Sequence, residues 1–248
     1  MTGMKKKMEI QAPMGEKTVL LHTCCAPCSS AIIEALMQNG ITPVIYYCNP
    51  NIYPLEEYEI RKNECTRYAQ SLGLEIVDAD YDHENWLEAV KGLENEPERG
   101  GRCLKCFKLR LLRTAQYASE KGIKVITTTL ASSRWKSLDQ INEAGRWACQ
   151  QPILVRRSSA APLASARCSE NIEAATAPDP NVSEWSVCPH GAVDESRLGV
   201  EMIPSGIIWW EQNWRKGGLQ ERRLQIIKEY DFYNQLYCGC EFSIRKED

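Results

Sequence analysis

An α/β fold, with a mostly parallel sheet between two layers of helices, is what this sequence predicts, and three observations predict it. Between Thr18 and Ala148, short apolar runs alternate with longer segments whose apolar residues recur at helical spacing. The short runs are apolar along their length, as in strands buried on both faces, and the fourth is rich in β-branched residues. The chain has 248 residues, 43% hydrophobic and 25% charged, which is enough to bury a core without disulfide staples.

Thr18-Val19-Leu20-Leu21 reads as the first strand, running into His22-Thr23-Cys24-Cys25-Ala26-Pro27-Cys28. A helix is expected next, starting near Ser29 or Ser30 and continuing to Met37, with Asn39-Gly40 closing the turn. The run from Pro43 to Cys48 is a second strand, and Asn49 to Pro54 is a turn-rich loop. Helical spacing follows from Leu55 to Leu72 and stops at Gly73; Leu74 to Asp78 is a third strand, and Trp86, Leu87 and Val90 mark a short helix. A polar loop, Glu94 to Gly101, delivers Arg102-Cys103-Leu104-Lys105-Cys106 to a basic helix in which Phe107, Leu109, Leu111 and Leu112 interleave with Lys108, Arg110 and Arg113. Gly122 ends it, Ile123 to Leu130 is a fourth strand, and Leu138 to Ala148 is helical. From Cys149 to about Gly206 the pattern lapses into small residues and proline. It returns with a strand at Ile207 to Trp210, a basic loop from Trp214 to Gly218 and a charged helix from Leu219 to Tyr230.

The expected organisation is a flexible N-terminus over residues 1–17, one α/β domain over 18–148 and 207–245, and an irregular insertion over 149–206 before the last strand. The alternation is Rossmann-like or nucleotide-hydrolase-like, and ligands of such sheets sit beyond the carboxyl ends of the strands. The opening cysteine turn lies there.

Composition narrows the class. A net charge of −3 announces no global nucleic-acid binder, so any such surface is a local patch. Met1 to Met8 carries lysines without an apolar segment behind them, unlike a signal peptide, and no stretch approaches the roughly 18 apolar residues of a membrane span. A cytoplasmic location away from membranes is expected, where clustered thiols among the twelve cysteines mean metal or redox chemistry more often than structural disulfides.

Cys24, Cys25 and Cys28 stand at a strand-to-helix turn, where free N–H groups and the helix dipole favour thiolates. Cys103 and Cys106 have the C-x-x-C spacing that turns two sulfurs toward one centre, a spacing shared by zinc sites, iron–sulfur clusters and redox dithiols. With Cys24 and Cys25 they make four thiolates from two turns, the ligand count of a four-cysteine cluster. Vicinal cysteines diverge and bite a single zinc ion poorly, which favours a multi-iron centre. Cys28 is a fifth thiol able to hold an additional metal. Cys238-Gly239-Cys240 reads as a labile redox disulfide, as two free thiols or as further ligands. Cys168, Cys188 and His190 fall in the irregular stretch, whose character argues against a metal role, and His22 reads as a satisfied buried side chain rather than a ligand.

Three separated motifs, His22 to Cys28, Arg102 to Phe107 with Arg110-Leu111, and Tyr237 to Cys240, resemble the cobalamin-independent epoxyqueuosine reductases, the QueH family. Thr129 to Lys136 and Asn213 to Lys216 are similar to that family as well, so the likeness covers roughly residues 18–148 and 207–245. The resemblance implies reduction of epoxyqueuosine to queuosine at the wobble position of the tRNAs for aspartate, asparagine, histidine and tyrosine. It implies a [4Fe–4S] cluster on Cys24, Cys25, Cys103 and Cys106, a second iron with Cys28 as candidate ligand, and a redox-active disulfide between Cys238 and Cys240. Its partners would be tRNA carrying epoxyqueuosine and a separate electron donor. Arg102, Arg134, Lys136 and Arg215 are candidate phosphate contacts, while Trp214, Trp135 and Tyr53 are candidate platforms for splayed bases. The segment between Cys149 and Gly206 departs from the family pattern, and deletion of Gln150 to Ser205 is expected to leave cluster and activity intact. A tRNA-thiolating enzyme is the main rival, but its phosphate-binding glycine loop is replaced here by Cys-Cys-Ala-Pro-Cys. A zinc- or cluster-stabilised tRNA-binding protein is the other.

Overall fold

The computed structural model describes residues 8–156, 200–235 and 237–244. In chain order the elements are β1 (Thr18–Thr23), α1 (Ala26–Gln38), β2 (Thr42–Tyr47), α2 (Leu55–Ser71), β3 (Ile76–Asp78), α3 (His83–Val90), α4 (Gly101–Glu120), β4 (Val125–Thr128), α5 (Leu138–Gln150), β5 (Pro152–Arg156), β6 (Val200–Pro204), β7 (Ile208–Trp209) and α6 (Leu219–Glu229). Five strands form a parallel sheet in the order β3-β2-β1-β4-β7. The chain winds outward from β1 through β2 to β3, then crosses back to β4 on the other side of β1. The carboxyl ends of β1 and β4 therefore flank the point where winding reverses, the place where such sheets open a crevice.

Alternation along the strands feeds two cores. Val19 and Leu21 of β1 join Ile45, Tyr47 and Val125 under α1, α2 and α6, where Ile32, Leu36, Tyr58, Tyr68 and Ile226 are buried. Leu20, Val44, Tyr46 and Ile126 point the other way, onto Phe107, Leu111 and Ala115 of α4 and Ile141, Ala144 and Ala148 of α5. The three-layer expectation is met.

Some boundaries differ from the sequence reading for identifiable reasons. Helix α1 begins at Ala26, not near Ser29, because Pro27 is favourable in a first turn and Cys25 supplies the extended residue before it. Ser29 does not cap; its hydroxyl donates back to the carbonyls of Cys25 and Ala26. Helix α4 begins at Gly101, so Cys103 and Cys106 lie on its first two turns. The fourth strand ends at Thr128, whose hydroxyl accepts from the Leu130 backbone N–H and starts a 3-10 turn over Thr129–Ser132.

The stretch expected to be irregular is bounded by regular structure, since α5 runs to Gln150 and β5 pairs with β6 in a separate two-stranded sheet. The chain divides into two units, Met1–Ile153 with Pro204–Asp248, and Leu154–Ile203. Cys168, Cys188 and His190 lie outside the described residues. Among the described residues, no helix is long and apolar enough to cross a membrane.

Candidate metal centre

The end of β1 and the start of α1 bring three sulfurs together. The Sγ atoms of Cys24, Cys25 and Cys28 all lie within 4.8 Å of one another. Among the described residues this is the one such grouping of three or more histidine, cysteine or acidic side chains. Cys25 is buried as the residue before the helix, while Cys24 and Cys28 are half-buried and line a cavity of about 860 Å³. Cys103 and Cys238 line the same cavity, so sulfurs from three distant parts of the chain open on one space. Cys106 and Cys240 are buried nearby in an apolar cluster with Trp86 and Val90. Cys238 and Cys240 are free thiols in this structure.

Proton affinities within the triad are unequal. The thiols of Cys25 and Cys28 donate toward Cys24, and the Thr129 hydroxyl adds a 3.4 Å contact; together these hold Cys24 well below the ordinary thiol range. Cys28, as donor to Cys24, is pushed up to about 12. Burial and then the neighbouring Cys24 raise Cys25. Burial raises Cys103, and drives Cys240 up to about 12. Cys238 goes the other way: burial is the largest influence and works against its thiolate, but the charge and hydrogen bond of the Lys136 ammonium 3.2 Å from its sulfur, together with Arg110, lower it on balance. Cys24 and Cys238 are thus the sulfurs whose surroundings favour the thiolate, the form that binds metal.

Cations supply the countercharge. Arg110 of α4 is buried beneath the cavity, donating to the Cys48 carbonyl and the Asn49 side chain, with one guanidinium nitrogen 4.0 Å from Cys106 Sγ. Among the described residues, no carboxylate lies within ion-pairing distance of Arg110 or of the half-buried Lys136. His22 ties the strand ends together below the triad. Its Nε2–H donates to the Cys48 carbonyl at 3.1 Å, and its Nδ1 accepts from the Thr128 hydroxyl at 2.7 Å. Burial, and secondarily Arg110, pull its pKa down to about 3. The expectation of a satisfied buried histidine is met.

The candidate RNA contacts separate into two groups. Trp214 is fully buried, edge-on to Trp210 at 5.7 Å, and belongs to the core rather than the rim. Arg102 is 2% exposed, spending its donors on the carbonyls of Leu93 and Glu94 with its guanidinium over Phe242. Arg215 donates to the carbonyls of Ser133 and Lys136, and Lys136 faces Cys238. Trp214 and Arg102 are sealed from solvent, whereas Arg215 and Lys136 line the cavity with part of their donors committed to protein groups. Arg134 and Trp135 remain at the rim; Trp135 is 61% exposed with the Arg134 guanidinium 5.3 Å from its ring centre. Tyr53 is also exposed, stacked on His83 beside a separate pocket.

Several contributors escaped the sequence reading. Arg99 donates to the carbonyls of Arg134 and Trp135, and its own N–H points at Cys103 Sγ, so it links the rim loop to α4. Gln235 donates to Cys25 Sγ at 2.8 Å, leaving its carboxamide oxygen without a partner; the Asn51 side-chain oxygen is likewise unpartnered, and both residues line the cavity. Arg61, paired with Glu57, donates to the carbonyls of Tyr237 and Cys238 and so fastens the last cysteine motif to α2. A helical arginine beside a glutamate four residues away is an ordinary surface signal, which is why it passed unnoticed.

Comparison with known proteins agrees with this arrangement. A family model described as epoxyqueuosine reductase QueH matches residues 19–158 and 190–246. The unmatched stretch, 159–189, is shorter than the insertion read from sequence. The chain is 38% identical over 237 residues to the epoxyqueuosine reductase QueH of Histophilus somni, covering 96% of this chain and 76% of the relative. It is 37% identical to the protein of the same name from Haemophilus influenzae (97% and 76% covered) and 37% to that of Acinetobacter baylyi (97% and 87%). A family match across most of the chain, joined to relatives at this identity and coverage, makes the chain a member of the epoxyqueuosine reductase QueH family.

Proposed function

We propose that this chain removes the epoxide oxygen of epoxyqueuosine in tRNA by two-electron reduction, forming the alkene of queuosine and water. The observation that carries the reading is the convergence of Cys24, Cys28, Cys103 and Cys238 on one cavity at the reversal point of the sheet. The residues suit an iron–sulfur centre: every candidate ligand is a thiol, Cys25 and Cys28 lie at the N-terminus of α1 and Cys103 in the first turn of α4, and nearby cations offset negative charge. Cys24, Cys25, Cys103 and Cys106 are the proposed holders of a [4Fe–4S] cluster, with Cys28 beside a further iron. When bound, such a centre supplies single electrons and, at an iron open to substrate, a Lewis acid for the epoxide oxygen.

The remaining groups act on the substrate and on water. Asn51 and Gln235 present acceptor oxygens that a hydroxylated ring can satisfy by donating, which favours substrate over an apolar competitor. Arg134 and Trp135 form an outer shelf on which a neighbouring base stacks while the modified base enters the cavity. The partners under this reading are tRNA and a separate electron donor.

The test is turnover of epoxyqueuosine-containing tRNA by anaerobically reconstituted protein, with iron and sulfide quantified. Cys24→Ser and Cys106→Ser should each lose cluster absorbance near ~400 nm and activity while keeping the wild-type circular dichroism. Wild-type protein that binds zinc, takes up no iron and leaves the epoxide intact would overturn the reading in favour of an RNA-binding module.

A further inference from the structure

Helix α6 turns one face to the cavity. Gln220, Arg223 and Leu224, three and four positions apart, line it together, and Leu224 is 58% exposed, so this face runs outward to the mouth. Contacts on either side fix it. The Gln220 carboxamide donates to the Ser132 carbonyl at 3.0 Å, and Arg223 Nε donates to the Pro27 carbonyl at 2.8 Å, at the start of α1. On the loop before α6, Arg215 donates through Nη2 to the carbonyls of Ser133 and Lys136. The loop from Ser132 to Lys136 and the inner face of α6 therefore form adjoining walls of the cavity.

Two arginines adjacent in sequence are spent differently. Arg222 does not line the cavity and pairs with Glu34 and Glu229. Arg223 has no carboxylate within ion-pairing distance among the described residues, and with Nε committed to Pro27 its two terminal nitrogens meet no acceptor there. Arg215 is placed alike: among the described residues no carboxylate pairs with it, and its buried Nε has no partner. Glu98 is the one acidic side chain among the described residues of the cavity wall, whose other charged residues are arginines and a lysine. A guanidinium anchored through Nε presents its remaining N–H groups as a fixed fork, the geometry that suits an oxyanion of phosphate.

We propose that Arg223, with Arg215 on the adjoining wall, seats a phosphodiester of the tRNA backbone beside the nucleotide whose base enters the cavity. The inference rests on the tRNA reading given above. Arg134 and Trp135 belong to the loop whose carbonyls Arg215 holds, so the same hydrogen bonds set the stacking shelf and the phosphate seat at a fixed separation. A strand entering between them is gripped at a base on one side and at its backbone on the other. Such a backbone contact fixes register and orientation without reading sequence. Selection of the modified base is left to the cavity, and Arg223 is a substrate-binding residue that acts equally on every tRNA whose anticodon loop reaches the mouth.

The experiment follows binding of an aspartate tRNA transcript to the reconstituted, anaerobic full chain by filter retention across a salt series, with iron quantified in each sample. Arg223→Gln should weaken binding about fivefold or more at about 0.1 M salt and lower the slope of log affinity against log salt by about 0.7–0.9, the share of one phosphate. Arg223→Lys should keep the slope and lose part of the affinity, since the charge remains and the fork does not. With epoxyqueuosine-containing tRNA, Arg223→Gln should raise KM about fivefold and leave kcat within about twofold, because the phosphate takes no part in the bond changes. In the wild-type chain, tRNA should slow phenylglyoxal modification of Arg223 several-fold and leave Arg67, 53% exposed on α2, unprotected. An unchanged slope in an Arg223→Gln protein with wild-type circular dichroism would overturn the proposal; joined to loss of iron, it would make Arg223 a countercharge to Cys28, which its charge also reaches. If Arg223→Gln fails to fold, the modification pattern decides, and absence of protection at Arg223 overturns the proposal. Wild-type turnover beside an unchanged slope counts against the phosphate seat alone, whereas the slope loss with the epoxide left intact supports the seat and counts against the reductase reading.

Discussion

Trp214 separates two accounts of the basic loop before α6. From the sequence, an aromatic beside Arg215 and Lys216 belongs on an RNA-binding surface; in the structure its indole is fully buried against Trp210 in the core shared by α1, α2 and α6. Truncating a fully buried tryptophan to alanine costs about 3–5 kcal/mol, a large part of the roughly 5–15 kcal/mol that holds a domain together. With a urea dependence of about 3 kcal/mol per molar, the midpoint should fall by roughly 1–1.7 M. The indole N–H has no acceptor among the described residues, so Trp214→Phe sacrifices volume but no hydrogen bond. That variant should stay folded and bind tRNA as the wild type does. Stacking on a base would instead be worth about 1–3 kcal/mol, five-fold or more in affinity. The assays are urea unfolding followed by circular dichroism and filter binding of the tRNA. A Trp214→Phe protein of normal stability whose affinity drops five-fold would refute the burial argument.

Other outcomes follow from the same geometry. Trp135→Ala, at the exposed rim, should leave stability within about 0.5 kcal/mol and weaken tRNA binding by about five-fold or more; unfolding measurements beside binding isotherms check both. His22→Gln should cost about 1–3 kcal/mol from its two buried hydrogen bonds. Because the folded chain holds His22 neutral with a pKa of about 3, its contribution is complete above the unfolded value of about 6.5 and is lost as pH falls toward 3, at about 1.4 kcal/mol per unit. Unfolding free energies at pH 6.5 and 4.5 should therefore fall more steeply for wild type than for His22→Gln, and parallel losses would contradict this. Excising residues 159–189, which the family model leaves unmatched, should preserve iron content and turnover, while the longer deletion of 150–205 removes both β5 and β6 and should lower the unfolding midpoint.

Much of the fold was legible because periodicity is local. Val19, Leu20 and Leu21 announce a strand buried on both faces, and the spacing of Phe107, Leu111 and Ala115 announces the helix that covers one of them. The start of α1 is ambiguous in sequence because one residue has two uses: Ser29 resembles a cap, yet its hydroxyl bonds back to the preceding turn, and Pro27 sits in the first turn instead. The sulfurs of the site were legible by spacing alone. Their supporting residues were not, because Arg61, Arg99 and Gln235 reach the site across 35 to 210 positions of chain, a separation that no local pattern encodes. Burial is equally non-local. Trp214 and Arg102 look like surface residues until α6, Phe242 and the loop at Leu93 close over them.

The charge arrangement explains why the cavity cannot be an ordinary polar pocket. A buried guanidinium carries a desolvation cost of several kcal/mol that is normally offset by a carboxylate. Arg110 has none within ion-pairing distance among the described residues; it meets a carbonyl, a carboxamide and the sulfur of Cys106. Neutral acceptors satisfy its N–H groups but leave its charge uncompensated. Lys136 repeats the situation at the rim, with Cys238 as its contact. Glu98 also lines the cavity but lies outside ion-pairing distance of both cations, so sulfur is their nearest source of negative charge, and the cations and thiolates there stabilise one another. Replacing Arg110 by methionine should then lower the affinity of the triad for thiophilic metal, whereas Arg110→Lys should lose hydrogen bonds but keep most of that affinity. Equal loss in both variants, measured by titration with a spectroscopically visible ion such as Co²⁺, would show that Arg110 acts through its hydrogen bonds and not through its charge.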